Sequence, residues 1–191
     1  FCNWTPAAAG RETHPINCVD WAESQQYCQS WLGGDLPTEA QWEKAARGAD
    51  PDQRKYPWGD TPLPDCTRCN YDVNGAFAAG AGCGSVTTGP ATWPVGNLLT
   101  TDGDSAYGLK DMAGNVREWT LDYGSTTFYG QCTAGCTDPL NTTPGGGQRE
   151  TRGGSYSNTT AEILILRTVE RAAYTPTVRL GNIGLRCRRT P

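Results

Sequence analysis

Two stretches of this chain carry the apolar spacing of a helix that buries one face. Asp20-Trp21-Ala22-Glu23 forms a capping box, in which the Asp20 carboxylate accepts from an orphan amide and Glu23 reaches back. Trp21, Cys28 and Leu32 then recur near helical spacing until Gly33-Gly34 stops the run. A second box, Thr38-Glu39-Ala40-Gln41, follows Pro37; Trp42, Ala45 and Ala46 make one face and Gly48 ends it. Shorter apolar runs predict strands at 116–120, 149–155 and 183–188, with Ile183, Leu185 and Cys187 alternating onto one face of the last. Between Asp50 and Ser105 neither period survives. Pro-Asp, Trp-Gly-Asp, Asn-Gly and Gly-Pro punctuate that stretch and predict irregular backbone held by cross-links. No repeat or low-complexity tract interrupts the pattern.

A length of 191 residues suits a single domain, 1–191, with room for a sizeable core. Only 37% of residues are apolar, against 24 Gly and 13 Pro, so loops should outweigh regular elements. Seven Trp should then supply much of the packing. A formal charge of −4 without a Lys/Arg block argues against a nucleic-acid partner. The longest apolar run, Ile-Leu-Ile-Leu at 163–166, falls far short of the ~18 residues of a membrane span. The chain opens at Phe1-Cys2 without Met, which predicts a mature or trimmed fragment lacking N-terminal residues.

Nine cysteines exceed what a reducing cytosol favours and predict a disulfide framework, hence a secreted or periplasmic protein. Proximity suggests Cys132 with Cys136, Cys2 with Cys18, and Cys83 with either Cys66 or Cys69, the other being the odd thiol. Zinc is the competing reading at Cys66-x-x-Cys69, but no second CxxC or His pair follows.

Candidate chemistry is sparse. Asp111 and Glu118 offer hard carboxylate oxygens on either side of a glycine turn, the donor type calcium takes; the alternative is that Asp111 caps a turn and Glu118 pairs with Arg117 or Arg186. His14 is the sole histidine, which disfavours His-based metal sites and a Ser-His-Asp mechanism. Ser155 lacks the flanking glycines of a nucleophile elbow. Asp102 and Asp104 read as a solvated turn before they read as a cation site. Asn3, Asn141 and Asn158 each begin a glycosylation sequon.

Four blocks occur in order: LPTEAQWEKAARG (36–48) with YPWG (56–59), YGLKDMAGNVREWT (107–120), RGGSYS (152–157) and NIGLRCRR (182–189). In this order they resemble the formylglycine-generating enzyme family, the sulfatase-modifying-factor domain. That resemblance implies an α+β, C-type-lectin-like fold, rich in irregular loops and stapled by disulfides. It also implies a Cys28–Cys187 bridge, and calcium held by the side chains of Asp111 and Glu118 with the carbonyls of Gly114 and Val116. A second calcium site would begin at Asn70 and Tyr71. In the oxidase members two thiolates after the GGSY motif bind copper(I), a soft ion suited to sulfur. Here those positions hold Asn158 and Ile163, so no copper is expected. The family's other bridge is missing at both ends, Ala46 and Thr168.

The function expected from this resemblance is a binding or accessory module for a peptide, glycan or protein. Its groove would be lined by Tyr156, Asn158, Trp93 and Arg171. Three alternatives remain: a family enzyme with different, non-haem-iron-type oxidative chemistry; an exported assembly protein cross-linked through its odd thiol; and, least favoured, a formylglycine-generating oxidase.

Overall fold

The computed structural model describes residues 2–49, 51, 53–73, 83, 92–96 and 102–189. Both predicted helices are present. Helix α1, Trp21–Leu32, starts on the Asp20 capping box and ends at Gly33, whose φ of 63° is the left-handed cap that glycine adopts without a Cβ clash. Helix α2, Glu39–Arg47, starts on the reciprocal Thr38–Gln41 box and ends at Gly48. A short strand follows directly from the first stop. Gly34 and Asp35 form β1, which pairs antiparallel with β6, Arg188–Arg189. A Cβ at Gly34 would lie 1.9 Å from the Arg188 carbonyl oxygen, so only glycine lets the two strands meet there.

The main sheet has the order β4-β3-β2-β5. Strand β2 spans Arg117–Tyr123, β3 Arg149–Arg152, β4 Arg171–Tyr174 and β5 Ile183–Gly184. β3 is antiparallel to both β2 and β4, whereas β5 runs parallel to β2. The strand expected over 183–188 is therefore two short strands in two different sheets. Leu185 to Cys187 between them leave the first sheet, so the alternation spans a crossing and not one pleat. Strand β3 stops at Arg152 because Gly153 (φ 94°) and Gly154 (φ 66°) turn the chain away. β4 carried no readable alternation and was not foreseen from sequence.

The core is divided among three aromatic-centred clusters. Trp119 packs with Cys28, Leu36 and Ile183; Trp42 with Ala46 and Met112; Tyr56 with Cys69, Tyr71, Ala113 and Leu166. Four disulfides close the loops: Cys2–Cys18, Cys28–Cys187, Cys66–Cys83 and Cys132–Cys136. Cys83 thus chooses Cys66, and the odd thiol is Cys69, buried at 1% exposure. A thiol so enclosed cannot cross-link the folded protein to a partner, which removes the physical basis of the assembly-protein reading.

Candidate functional site

The glycine turn after β3 leads straight into the residues that matter. Gly153 lies against Trp42, where an added Cβ would come within 3.1 Å of Cζ2, and Gly154 lies under Leu166. The carbonyl of Gly153 accepts from the Gly114 amide (2.7 Å), and the Tyr156 amide donates to the Asn115 carbonyl (2.9 Å). Two of the four sequence blocks are thereby stitched together by their backbones. Behind the turn runs a buried polar chain. Asn182 Nδ2 donates to Ser157 Oγ (2.9 Å), the hydroxyls of Ser157 and Ser155 share a hydrogen bond (3.0 Å), and Ser155 Oγ donates to Asn158 Oδ1 (3.2 Å). Asn158 Oδ1 also accepts from the Ser155 amide at 2.8 Å. A backbone N–H needs an acceptor, so this contact fixes which end of the Asn158 amide points inward.

Ile163 sits on a 3-10 helix, Thr160–Leu166, and packs against the Tyr56–Cys69–Tyr71–Ala113–Leu166 cluster. The two positions that the resemblance matches to the copper thiolates of oxidase members therefore hold a turn-bracing amide and a side chain packed on the apolar core. Neither supplies a soft donor, and the residues present do not fit copper(I).

In the Asp111–Glu118 block, both Glu118 oxygens are already taken. Oε1 accepts from Arg186 Nε (3.1 Å) and Nη2 (2.8 Å); Oε2 accepts from Arg186 Nε (2.9 Å) and Trp42 Nε1 (2.6 Å). Three N–H donors, one of them shared between the two oxygens, thus engage both ends of the carboxylate. Asp111, in the left-handed region at φ 57°, accepts the Gly96 amide on Oδ2 (2.6 Å). Burial pushes its carboxyl up, while that amide and Arg186 pull it down. The pairing of Glu118 with Arg186, the alternative open in the sequence, is the arrangement present. As arranged, Glu118 does not fit as a calcium ligand, because an ion there has to displace the guanidinium. Gly114 is glycine for packing reasons: a Cβ would lie 2.3 Å from the Asn70 carbonyl oxygen. Val116 beside it is buried.

At the second expected calcium position, Asn70 Oδ1 accepts the Cys83 amide (2.9 Å) and its carbonyl accepts the Asn115 amide (2.8 Å). The Tyr71 hydroxyl donates to the Pro64 carbonyl (3.1 Å). Of the four expected groove residues, Trp93 and Tyr156 both bond to Asn115, and Asn158 lies two residues beyond Tyr156. Arg171 is drawn elsewhere. It pairs with Glu39 (3.0 Å) and lines a groove of about 440 Å³ with Glu43, Lys44, Arg47 and Tyr129. That groove shares no lining residue with the Ser155–Asn158 turn. Asp102 and Asp104 face Arg68 and Lys110. The sequon asparagines Asn3, Asn141 and Asn158 are all buried, so none offers its amide to a glycosylating enzyme in the folded state.

Sequence reasoning missed two features. Glu39, at 3% exposure, is held between Arg152 and Arg171; burial pushes its carboxyl up to about 7 although both arginines oppose the shift. The second is Arg117, a buried arginine with no side-chain partner among the described residues. For Arg117 the available signal was a charged residue at the head of a run that otherwise reads as a buried strand; Glu39, in the first turn of α2, gave none.

Residues 2–191 match the family described as "Sulfatase-modifying factor enzyme 1-like domain". The chain belongs to this family. It is 37% identical over 182 residues to a formylglycine-generating enzyme of Streptomyces coelicolor, covering 93% of this chain and 53% of that protein. It is 33% identical over 173 residues to a Bos taurus protein named "Inactive C-alpha-formylglycine-generating enzyme 2", covering 91% of this chain and 49% of the relative. The chain thus spans about half the length of these relatives. Among solved structures, PvdO from Pseudomonas aeruginosa aligns at a TM-score of 0.65 and 20% identity, over 91% of this chain and 60% of that one. Treponema denticola variable protein 1 aligns at 0.63 and 20%, over 96% and 74%. At such identities these structures show a shared fold and nothing of activity.

Proposed function

We propose that this domain is a secreted or periplasmic binding module of the sulfatase-modifying-factor family that recognises a peptide segment and performs no copper-dependent oxidation. One observation carries the reading: Asn158 is committed to the Ser155 amide and Ile163 to the core, where copper chemistry requires two thiolates. The relatives named above include a protein called inactive, so the fold is compatible with loss of that chemistry. Four disulfides support an oxidising compartment. The family can bind calcium; for this chain we propose that Arg186 supplies the positive charge its Asp111–Glu118 block needs.

The test is a copper(I) titration against a chromogenic chelator, run beside incubation of a Cys-x-Pro-x-Arg peptide with copper and oxygen. The module should take up no copper at micromolar metal and leave the peptide mass unchanged. Stoichiometric copper uptake with mass loss from the peptide cysteine would establish an oxidase and end the proposal.

A further inference from the structure

We infer that Arg117 is the anchor of a carboxylate-binding site, recognising a single carboxylate group on the ligand. The inference starts from how this chain treats its internal guanidinium groups. Arg152 is fully buried; its Nη1 and Nη2 are held by Glu43 and the carbonyls of Thr168, Val169 and Glu170, and only its Nε lacks a hydrogen bond. Arg186 holds Glu118 and the Lys110 carbonyl. Arg149 is sandwiched between the rings of Trp21 and Tyr123, 3.7 and 3.5 Å from their centroids, and donates to the Leu121 carbonyl. Arg117 breaks this pattern. It is 4% exposed, its Nε and Nη1 are closed off from solvent, and its side chain has no hydrogen bond or ion pair with any described residue.

A buried charge left unpaired is far costlier than a missing neutral hydrogen bond, and folding tolerates it where something else supplies the acceptors. The electrostatic surroundings point to what that is. Tyr174, Glu162 and Glu170 are the groups whose fields favour the charged form, with Arg152 opposing; burial nonetheless lowers the pKa of the guanidinium. Glu162 is spent on its own capping box, where Oε2 accepts the Thr159 amide at 3.1 Å. A singly charged, planar carboxylate matches the guanidinium fork with two parallel N–H donors. The backbone of this residue is tied to the candidate site. The Arg117 amide donates to the Asn182 carbonyl, and the Asn182 side chain begins the polar chain that ends on Asn158.

The inference deepens the binding-module reading and rests on it for the ligand being a peptide; carboxylate binding itself is measured independently of copper. The experiment is a titration of ¹⁵N-labelled protein with acetate at constant ionic strength, following the arginine Nε–H signal that disappears in Arg117→Met. That signal should shift saturably with acetate but not with chloride or inorganic phosphate. Arg117→Met should weaken acetate affinity at least tenfold, read from saturation transfer to the acetate methyl group. Arg117→Lys, which keeps the charge without the fork, should fall between the two and supplies the comparison where the Met variant fails to fold. N-acetyl-Ala-Ala-Asp-amide and N-acetyl-Ala-Ala-Ala with a free C-terminus then separate a side-chain carboxylate from a terminal one. A signal indifferent to acetate means that water satisfies Arg117 and overturns the site. So does acetate affinity unchanged by Arg117→Met, and an equal shift with phosphate overturns the carboxylate assignment. Copper uptake in the earlier titration would leave this result standing and remove only the module reading.

Discussion

Removing the Arg186 guanidinium tests whether an arginine or a metal ion holds the Asp111–Glu118 block together. Arg186→Met keeps most of the aliphatic stem and strips Glu118 of three of its four donor contacts, leaving the Trp42 indole N–H. The Lys110 carbonyl loses its partner as well. The Glu118 side chain is 5% exposed, so its charge is then buried and nearly unpaired. Breaking a buried pair from one side costs about 3–5 kcal/mol. The Arg186 side chain is 28% exposed, and water reaching the vacated space moves the expectation to the lower end, about 3 kcal/mol. Against a total of about 5–15 kcal/mol, that is a large fraction of the stability. Urea unfolding at neutral pH with the disulfides intact measures it, and the Glu118→Leu/Arg186→Met double variant closes the cycle. The double variant should recover most of the loss, because no buried charge remains. Calcium supplies a second arm: millimolar calcium should leave the wild-type midpoint fixed and raise that of Arg186→Met, where the Glu118 carboxylate is released beside Asp111. A loss below about 1 kcal/mol in the single variant, on a scale where broken buried pairs cost several, or a wild-type midpoint that follows calcium, would refute the arginine clamp.

Other consequences follow from the bridges and the buried acids. In the chain-entropy view, removing Cys28–Cys187, which spans 159 residues, should cost about 5 kcal/mol, and removing Cys132–Cys136, which spans 4, about 2; equal midpoints for the two double-alanine variants would contradict that ordering. Glu39 has a folded pKa raised from 4.5 to about 7, so the folded state binds the extra proton and stability should fall as pH climbs between those values. Glu39→Gln should flatten that slope, by roughly 1–3 kcal/mol over the interval, and an unchanged pH profile would show that Arg152 and Arg171 outweigh burial. Burial pushes the Cys69 thiol well above its ordinary range, so a disulfide reagent should find one thiol only after unfolding; rapid labelling of the native protein would place Cys69 at the surface.

What the sequence made legible divides along a physical line. Asp20, Thr38, Gly33 and Gly48 act through backbone atoms within five residues of themselves, so helix starts and stops could be read locally. The Cys132–Cys136 and Cys2–Cys18 pairs are likewise close in sequence, whereas Cys28–Cys187 was reachable only through family likeness. β4 escaped because its residues are all half-buried and owe their extension to pairing with β3, a tertiary effect that no local alternation announces. The break between Ile183–Gly184 and Arg188–Arg189 escaped for a related reason. Gly184 must meet the Ile16 carbonyl and Gly34 the Arg188 carbonyl, and both contacts cross more than 150 residues of chain. The site shows the same division. That thiolates are absent at 158 and 163 is a statement about residue identity and could be read directly. That Glu118 belongs to Arg186, Arg171 to Glu39, and Arg117 to nothing within the described chain is a statement about partners, and partners are set by packing. The partner of a buried arginine stays unreadable in sequence until its neighbours are known. Family likeness locates the turn at Gly153–Asn158, but the new chemistry of this chain is carried by the guanidinium one strand away.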